Sequence, residues 1–181
     1  PFNSEMVTRL VSNVGVPSLV FSTLVNVDIG GGLFMEMALA AFVTTVFFFA
    51  IGWAILKLTG LPIRTYLNPI AFANTGNMGL PLCLLAFGEE GLALGIAYFV
   101  VNVILLLTVG IAVASNEYNF RDVVKRPFIY ALIAAGVFVV GEIEVPKAVM
   151  STTKLLGNFS IPLMLITLGY SLATLQIVSA K

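Results

Sequence analysis

The chain has 181 residues, of which 59% are hydrophobic and only 10% are charged, and its nine basic and nine acidic side chains cancel. A soluble domain carries about 25% charged residues, so this composition, with a mean hydropathy of +1.05, excludes a soluble globular protein. It also excludes intrinsic disorder and a nucleic-acid-binding protein with a basic stripe, and it predicts an all-α protein embedded in the lipid bilayer.

The residues that usually carry catalysis and metal binding are scarce. Cys83 is the only cysteine, and the chain has no histidine. A disulfide within the chain is therefore impossible. A zinc site would have to be built from carboxylates and one thiol, which is unusual, and histidine bases are missing. We expect no metal site, no cofactor and no enzymatic activity. We interpret Cys83 as a packing residue and Asn102 as a hydrogen-bonding partner between helices.

The charge-free runs predict six transmembrane helices. A spanning helix needs about 20 mostly apolar residues. The fifth run is short and reaches this length only if Glu142 and Glu144 lie among the lipid headgroups. The six runs cover 10–27, 37–56, 65–88, 91–116, 127–141 and 155–180.

The connections between these runs indicate their orientation. With six spans, one side of the membrane holds Arg9, Lys57, Arg64, Arg121, Lys125, Arg126 and Lys181, and the other holds only Lys147 and Lys154. The positive-inside rule then places both ends of this chain in the cytoplasm, in a plasma or inner membrane. The segment 117–126 becomes a cytoplasmic loop, and Glu89 and Glu90 form a solvated turn on the outer side.

Glycine and proline mark the turns. Gly30-Gly31-Gly32 predicts a flexible turn between the first two spans. Gly60 and Pro62 predict the turn after the second span. Pro127 is well placed in the first turn of the fifth span, where its missing amide costs nothing.

The first and last spans share a short pattern. Residues 13–17 and 158–162 both read Asn, apolar, small, β-branched, Pro, and an apolar run follows each. Because they lie five spans apart, the two copies cross the membrane in opposite directions, as in an inverted repeat. We expect a ten-helix protein, with four helices of the first repeat in 1–116 and two of the second in 127–181. One helix would be missing before this chain and three after it.

The third span, 65–88, has the strongest functional signal. Within eight residues it contains Asn74, Gly76, Asn77, Gly79 and Pro81. Glycine and proline are both poor helix formers, so the pattern favours a helix broken in mid-membrane, with freed backbone groups around a small polar cavity. The half-helix that starts near Pro81 would direct its positive end at an anion. The alternative is a kinked helix whose asparagines bond to neighbouring helices.

The run from Asn74 to Leu82 resembles the crossover-helix motif of the auxin efflux carrier family, which includes plant auxin exporters and bacterial permeases for malate and malonate. The resemblance extends over the whole chain. It implies ten helices in two inverted repeats, a possible homodimer, and elevator-like alternating access that moves small organic anions such as dicarboxylates or auxin-like acids. The implied substrate-binding residues are Asn74, Thr75, Gly76, Asn77, Met78, Gly79 and Pro81, with Asn13 and Pro17 nearby.

Two alternatives remain open. One is a sodium-coupled carrier of the bile-acid type, which shares the inverted-repeat layout but would require sodium dependence. The absence of an ionisable side chain at mid-span argues mildly against it. The other is a helical membrane scaffold without transport activity.

Overall fold

The computed structural model describes residues 3–27, 30–115 and 124–174, and every regular element in these ranges is a helix. The predicted all-α class is confirmed. The helices are α1 (Ser4–Leu10), α2 (Val16–Asn26), α3 (Gly31–Thr59), α4 (Ile63–Ala71), α5 (Leu80–Leu105), α6 (Ile111–Ser115), α7 (Pro127–Val140) and α8 (Lys147–Ala173). Three π-helical turns join some of them: π1 (Val11–Gly15), π2 (Thr75–Gly79) and π3 (Leu106–Gly110).

Several helical stretches match the dimensions of a bilayer. In the described ranges, Gly31–Thr59, Ile63–Ala114 and Lys147–Ala173 are long and apolar enough to cross a membrane, and the apolar helix Pro127–Val140 is shorter. Large apolar side chains on their outer faces are exposed, as lipid contact requires. The chain is therefore a helical membrane protein with more than one candidate span.

The long stretch Ile63–Ala114 folds back on itself at Gly88. Gly88 has φ 70° and ψ −159°, a conformation that interrupts α5 and that only glycine adopts readily. A Cβ on Gly95 would lie 3.0 Å from Cys83 Sγ, and one on Gly76 would lie 3.3 Å from Phe99 Cε2. Residues before and after Gly88 thus pack in antiparallel order, and Cys83 is a packing residue as expected.

Helix ends differ from the charge-free runs. α1 begins at Ser4, where the Asn3 side chain accepts a hydrogen bond from the Met6 amide at 3.0 Å. α8 begins at Lys147, eight residues before the predicted span. Charged side chains near a helix end reach water or headgroups by their long stems, so a charge does not terminate a helix.

The glycine and proline turns were predicted with one error. Gly60 has φ 72° and ends α3, Pro62 immediately precedes α4, and Pro127 is the first residue of α7, all as expected. The turn at Gly30-Gly31-Gly32 was predicted too long. Gly30 alone has positive φ, 66°, while the other two glycines already belong to α3.

Some predictions fall outside the described ranges. These are the end of the fourth span at 116, most of the loop 117–126 including Arg121, and the last residues of the sixth span with Lys181.

The core joins α2 and α8 to α5 and α7. Its buried members include Leu19, Val20, Ile96, Phe128 and Met164. α2 and α8 approach so closely that a Cβ on Gly157 would lie 2.9 Å from the Leu19 Cα, and a Cβ on Gly15 would overlap the Ser160 side chain. These two helices run antiparallel, because Gly15 meets Ser160 while Leu19 meets Gly157.

Candidate binding site at a broken helix

The third predicted span is interrupted rather than kinked. α4 ends at Ala71, Phe72 has extended dihedral angles (φ −113°, ψ 106°), and the chain becomes helical again at Thr75. Residues 72–74 therefore form a non-helical break between two half-helices. This arrangement agrees with the predicted broken helix.

The break lies earlier in the chain than predicted. We expected the second half-helix to start near Pro81, but it starts at Thr75, six residues before that proline. The wider π2 turn accommodates Pro81, since the Leu80 amide bonds to the Thr75 carbonyl five residues earlier. Pro81 is buried within the protein.

Backbone groups at the break lack hydrogen-bond partners. In the part of the chain that the structure describes, no acceptor is found for the amides of Ala73, Asn74, Gly76 and Asn77. The Thr75 amide bonds to the Ala73 carbonyl at 2.8 Å, and the Gly79 amide to the Asn74 carbonyl at 3.2 Å. Free amides are expected in the first turn of a helix, but inside a membrane each must be satisfied by protein, water or solute.

The side chains of the predicted site divide into two groups. Asn74 and Met78 are exposed, while Thr75, Gly76, Asn77 and Gly79 are half-buried, so residues 74–79 share one accessible turn. The amide side chains of Asn74 and Asn77 have no hydrogen-bond partner among the described residues. Two other predicted residues lie away from this turn: Asn13, which is exposed, is in π1, and Pro17, which is half-buried, is in α2. α8 contacts both π1 and π2 and so connects the two regions.

Three polar residues around the break, Asn68, Asn102 and Thr45, were not predicted as part of the site. Asn68, on α4, donates its Nδ2 to the Gly110 carbonyl at 3.0 Å, and its Oδ1 is buried without a partner in the described ranges. Asn102 is 2% exposed; it donates to Thr45 Oγ1 at 3.3 Å and accepts from Thr75 Oγ1 at 3.5 Å. Asn102 thus links helices, as predicted. An amide side chain inside an apolar span was the available sequence signal for Asn68 as well.

Comparison with known proteins identifies the chain. Residues 2–180 match the family of membrane transport proteins. The chain belongs to this family. The match confirms the auxin efflux carrier-like resemblance of the third span, and no solved structure matches the chain.

A curated relative agrees with this family. An uncharacterized transporter from Methanocaldococcus jannaschii is 24% identical over 186 residues. The alignment covers 94% of this chain and 60% of the relative. The chain thus spans less than two thirds of the length of that relative.

The site of this family member contains a looser copy of the pattern shared by the first and last spans, with Leu80 in place of the β-branched residue. Residues 77–81 read Asn-Met-Gly-Leu-Pro, as 13–17 read Asn-Val-Gly-Val-Pro and 158–162 read Asn-Phe-Ser-Ile-Pro. In the first two places a π-helical turn ends two residues before the proline, whereas 158–162 stays inside regular α8. A proline cannot donate to the carbonyl four residues earlier, which in each copy belongs to the asparagine.

The electrostatic character of the site comes from the backbone. Residues 65–88 contain no charged side chain. The amides at the start of π2 sit at a helix N-terminus, where the partial positive charge favours an anion. With the amide groups of Asn74 and Asn77, they form a hydrogen-bonding surface suited to a carboxylate.

Proposed function

We propose that this chain forms the substrate-binding part of a secondary transporter for small organic anions. The observation that supports it most is the set of unpaired amides of Ala73, Asn74, Gly76 and Asn77, located in an otherwise apolar span. An unpaired polar group that lipid shields from water costs roughly 1–3 kcal/mol. A solute that accepts hydrogen bonds there would recover this cost.

The donor set favours a carboxylate over a cation. Amides of Ala73, Asn74, Gly76 and Asn77 offer only N–H groups, and the helix end adds partial positive charge. No lysine or arginine lies between residues 65 and 88 to hold the anion tightly. Moderate affinity follows, which suits a carrier that must release its substrate on the other side of the membrane. Dicarboxylates and auxin-like acids both satisfy this chemistry.

The packing of α2 against α8 supports an inverted repeat. Gly15 and Ser160 occupy the same place in the shared pattern, and they contact each other. Their neighbours match in burial as well: the pairs Val16 and Ile161, Leu19 and Met164, and Ser22 and Thr167 are all buried. Equivalent residues in mutual contact are expected where a two-fold axis passes between two antiparallel copies.

On this basis the proposal extends to the whole carrier. It has ten helices in two inverted repeats, of which 1–116 contributes four and 127–181 contributes two, separated by the cytoplasmic loop 117–126. The present chain crosses a plasma or inner membrane six times with both ends in the cytoplasm. Transport proceeds by alternating access around the broken helix, in a protein that forms homodimers.

Uptake into proteoliposomes tests the proposal. The full-length carrier is reconstituted, and uptake of radiolabelled malonate, malate and indole-3-acetate is measured against protein-free vesicles. We expect saturable uptake of at least one acid, and competition by other carboxylates but not by their amides. Equal accumulation in both vesicle types for every acid would overturn the proposal and leave the scaffold alternative.

Replacing sodium distinguishes the organic-anion permease from the sodium-coupled alternative. The same uptake is measured with choline in place of sodium. The organic-anion permease keeps its uptake, whereas a bile-acid-type carrier loses it.

A further inference from the structure

We propose that Asn102 and Asn68 are positioning residues that hold the two sides of the break in the third span in place. This inference rests on the proposed function, because it concerns the same site. Asn102 contacts the side that carries the free amides, and Asn68 lies on the side that precedes them. Neither residue is proposed to touch the substrate.

The first contact fixes the start of π2. Thr75 donates its hydroxyl to Asn102 Oδ1 at 3.5 Å, and Asn102 donates its Nδ2 to Thr45 Oγ1 at 3.3 Å. Asn102 and Thr45 are each 2% exposed. A buried amide whose donor and acceptor are both used has one allowed orientation. The chain of three side chains therefore ties the substrate-facing turn to α3 as well as to α5.

The second contact fixes the end of α4. Asn68 Nδ2 bonds to the carbonyl of Gly110, and a Cβ at Gly110 would lie 3.0 Å from Phe72 Cε2 and 3.2 Å from Asn68 Oδ1. Gly110 has room for this bond only because it lacks a side chain. The first non-helical residue of the break, Phe72, is thereby packed at the same place.

Both contacts reach the same stretch of chain. Asn102 and Gly110 are eight residues apart, which is roughly 12 Å along a helix. The segment from Asn102 to Gly110 therefore contacts both sides of the break and holds them apart. Without it, the unpaired amides of residues 73–77 would gain by closing into a continuous helix, because intrahelical bonds are the available partners in lipid.

Two adjacent threonines give a matched experiment. Thr45→Val removes the hydroxyl that orients Asn102, while Thr44→Val removes a hydroxyl that pairs with Tyr98 OH at 3.0 Å between the same helices. Uptake kinetics and melting temperature are measured for both variants in the full-length carrier. We expect similar melting temperatures, but about a tenfold higher KM for Thr45→Val alone. Equal KM values in the two variants would overturn the inference.

Four further variants distinguish positioning from folding. Asn102→Ala and Asn68→Ala remove each contact at its centre, and both should raise KM more than they lower the maximal rate. Thr75→Ser keeps the hydroxyl and should raise KM less than Thr75→Val, which should behave as Asn102→Ala does. A Thr75→Ser variant as impaired as Thr75→Val would contradict the proposed contact.

Amide hydrogen exchange tests the inference without any substrate. The Gly79 and Leu80 amides are bonded across π2 to residues 74 and 75. Their exchange should be faster in Thr45→Val than in Thr44→Val. If the wild type transports none of the acids, the proposed function fails, and this exchange result alone decides the positioning role. Identical exchange in both variants would refute it.

Discussion

The segment α1–π1–α2 and the third predicted span contain the same short sequence motif, but only the third span is broken. In both segments the motif reads Asn-apolar-Gly-apolar-Pro, and a π-helical turn ends two residues before the proline. Around π1 the helix continues without interruption from α1 to α2. Before π2 the helix stops, and three residues are non-helical.

The surroundings explain the difference. π1 and α2 pack tightly against α8, where Gly15 meets Ser160 and Gly157 meets Leu19, so there is no room for the chain to leave the helix. π2 is held by the hydrogen bond that Thr75 donates to Asn102, and the end of α4 by the bond that Asn68 donates to Gly110. A π turn with a proline therefore does not break a helix by itself. The break depends on polar contacts made elsewhere in the chain.

The largest expected effect separates the two regions by transport. Asn74→Ala should abolish uptake while leaving membrane insertion intact, because Asn74 stands at the N-cap position of the turn that carries the free amides and its unpaired side-chain amide is available to the substrate. Asn13→Ala should reduce uptake less, since Asn13 lies in a stretch that stays helical from α1 through π1 to α2. Proteoliposome uptake checks both, with Asn26→Ala as the control at the far end of α2. Normal transport by Asn74→Ala would remove Asn74 from the site.

A second pair of variants restores the backbone amide that each proline lacks. Pro81→Ala supplies an amide that can close a regular helical turn with the Asn77 carbonyl, and Pro17→Ala does the same at Asn13. Proline in a helix interior costs roughly 3 kcal/mol, so both variants should melt at a higher temperature. Only Pro81→Ala should also lose uptake, by about tenfold or more. The comparison fails if Pro17→Ala is the more damaging of the two.

Packing variants test the first region by stability. Gly157→Ala should lower the free energy of unfolding by about 1–3 kcal/mol, as overpacking does, because its Cβ would lie 2.9 Å from the Leu19 backbone. Gly169→Ala on the same helix meets nothing within 4 Å and should be neutral or slightly stabilising. Thermal melts in detergent measure both. Equal melting temperatures would show that α2 and α8 are not closely packed.

The smallest effect concerns the fold-back at Gly88. An alanine there must adopt φ 70°, ψ −159°, which costs about 1–3 kcal/mol for a residue other than glycine. Gly88→Ala should lower the melting temperature moderately and leave KM unchanged, because Gly88 lies far along α5 from π2. The matched control is Gly136→Ala, which meets no atom within 4 Å on α7. An altered KM would connect this turn to the site.

Much of the site could be predicted from the sequence, and the remainder depends on tertiary contacts. Asn74, Gly76 and Asn77 stand out because two amide side chains next to residues of poor helix propensity favour a break within an apolar span. The start of the second half-helix at Thr75 could not be located, since a proline marks where a helix is weakened but not where it ends. Likewise, the pairing of Asn102 with Thr75 joins residues 27 positions apart, and no local pattern encodes it.

Amide hydrogen exchange with bound acid tests the central claim most directly. The full-length carrier is exchanged with and without saturating malonate, malate or indole-3-acetate, and peptides covering 72–79 are compared with those covering 11–17. If the unpaired amides bind the carboxylate, exchange in 72–79 slows with at least one acid while exchange in 11–17 stays the same. An acid that is transported yet leaves exchange in 72–79 unchanged would contradict the assignment of the broken helix as the binding site.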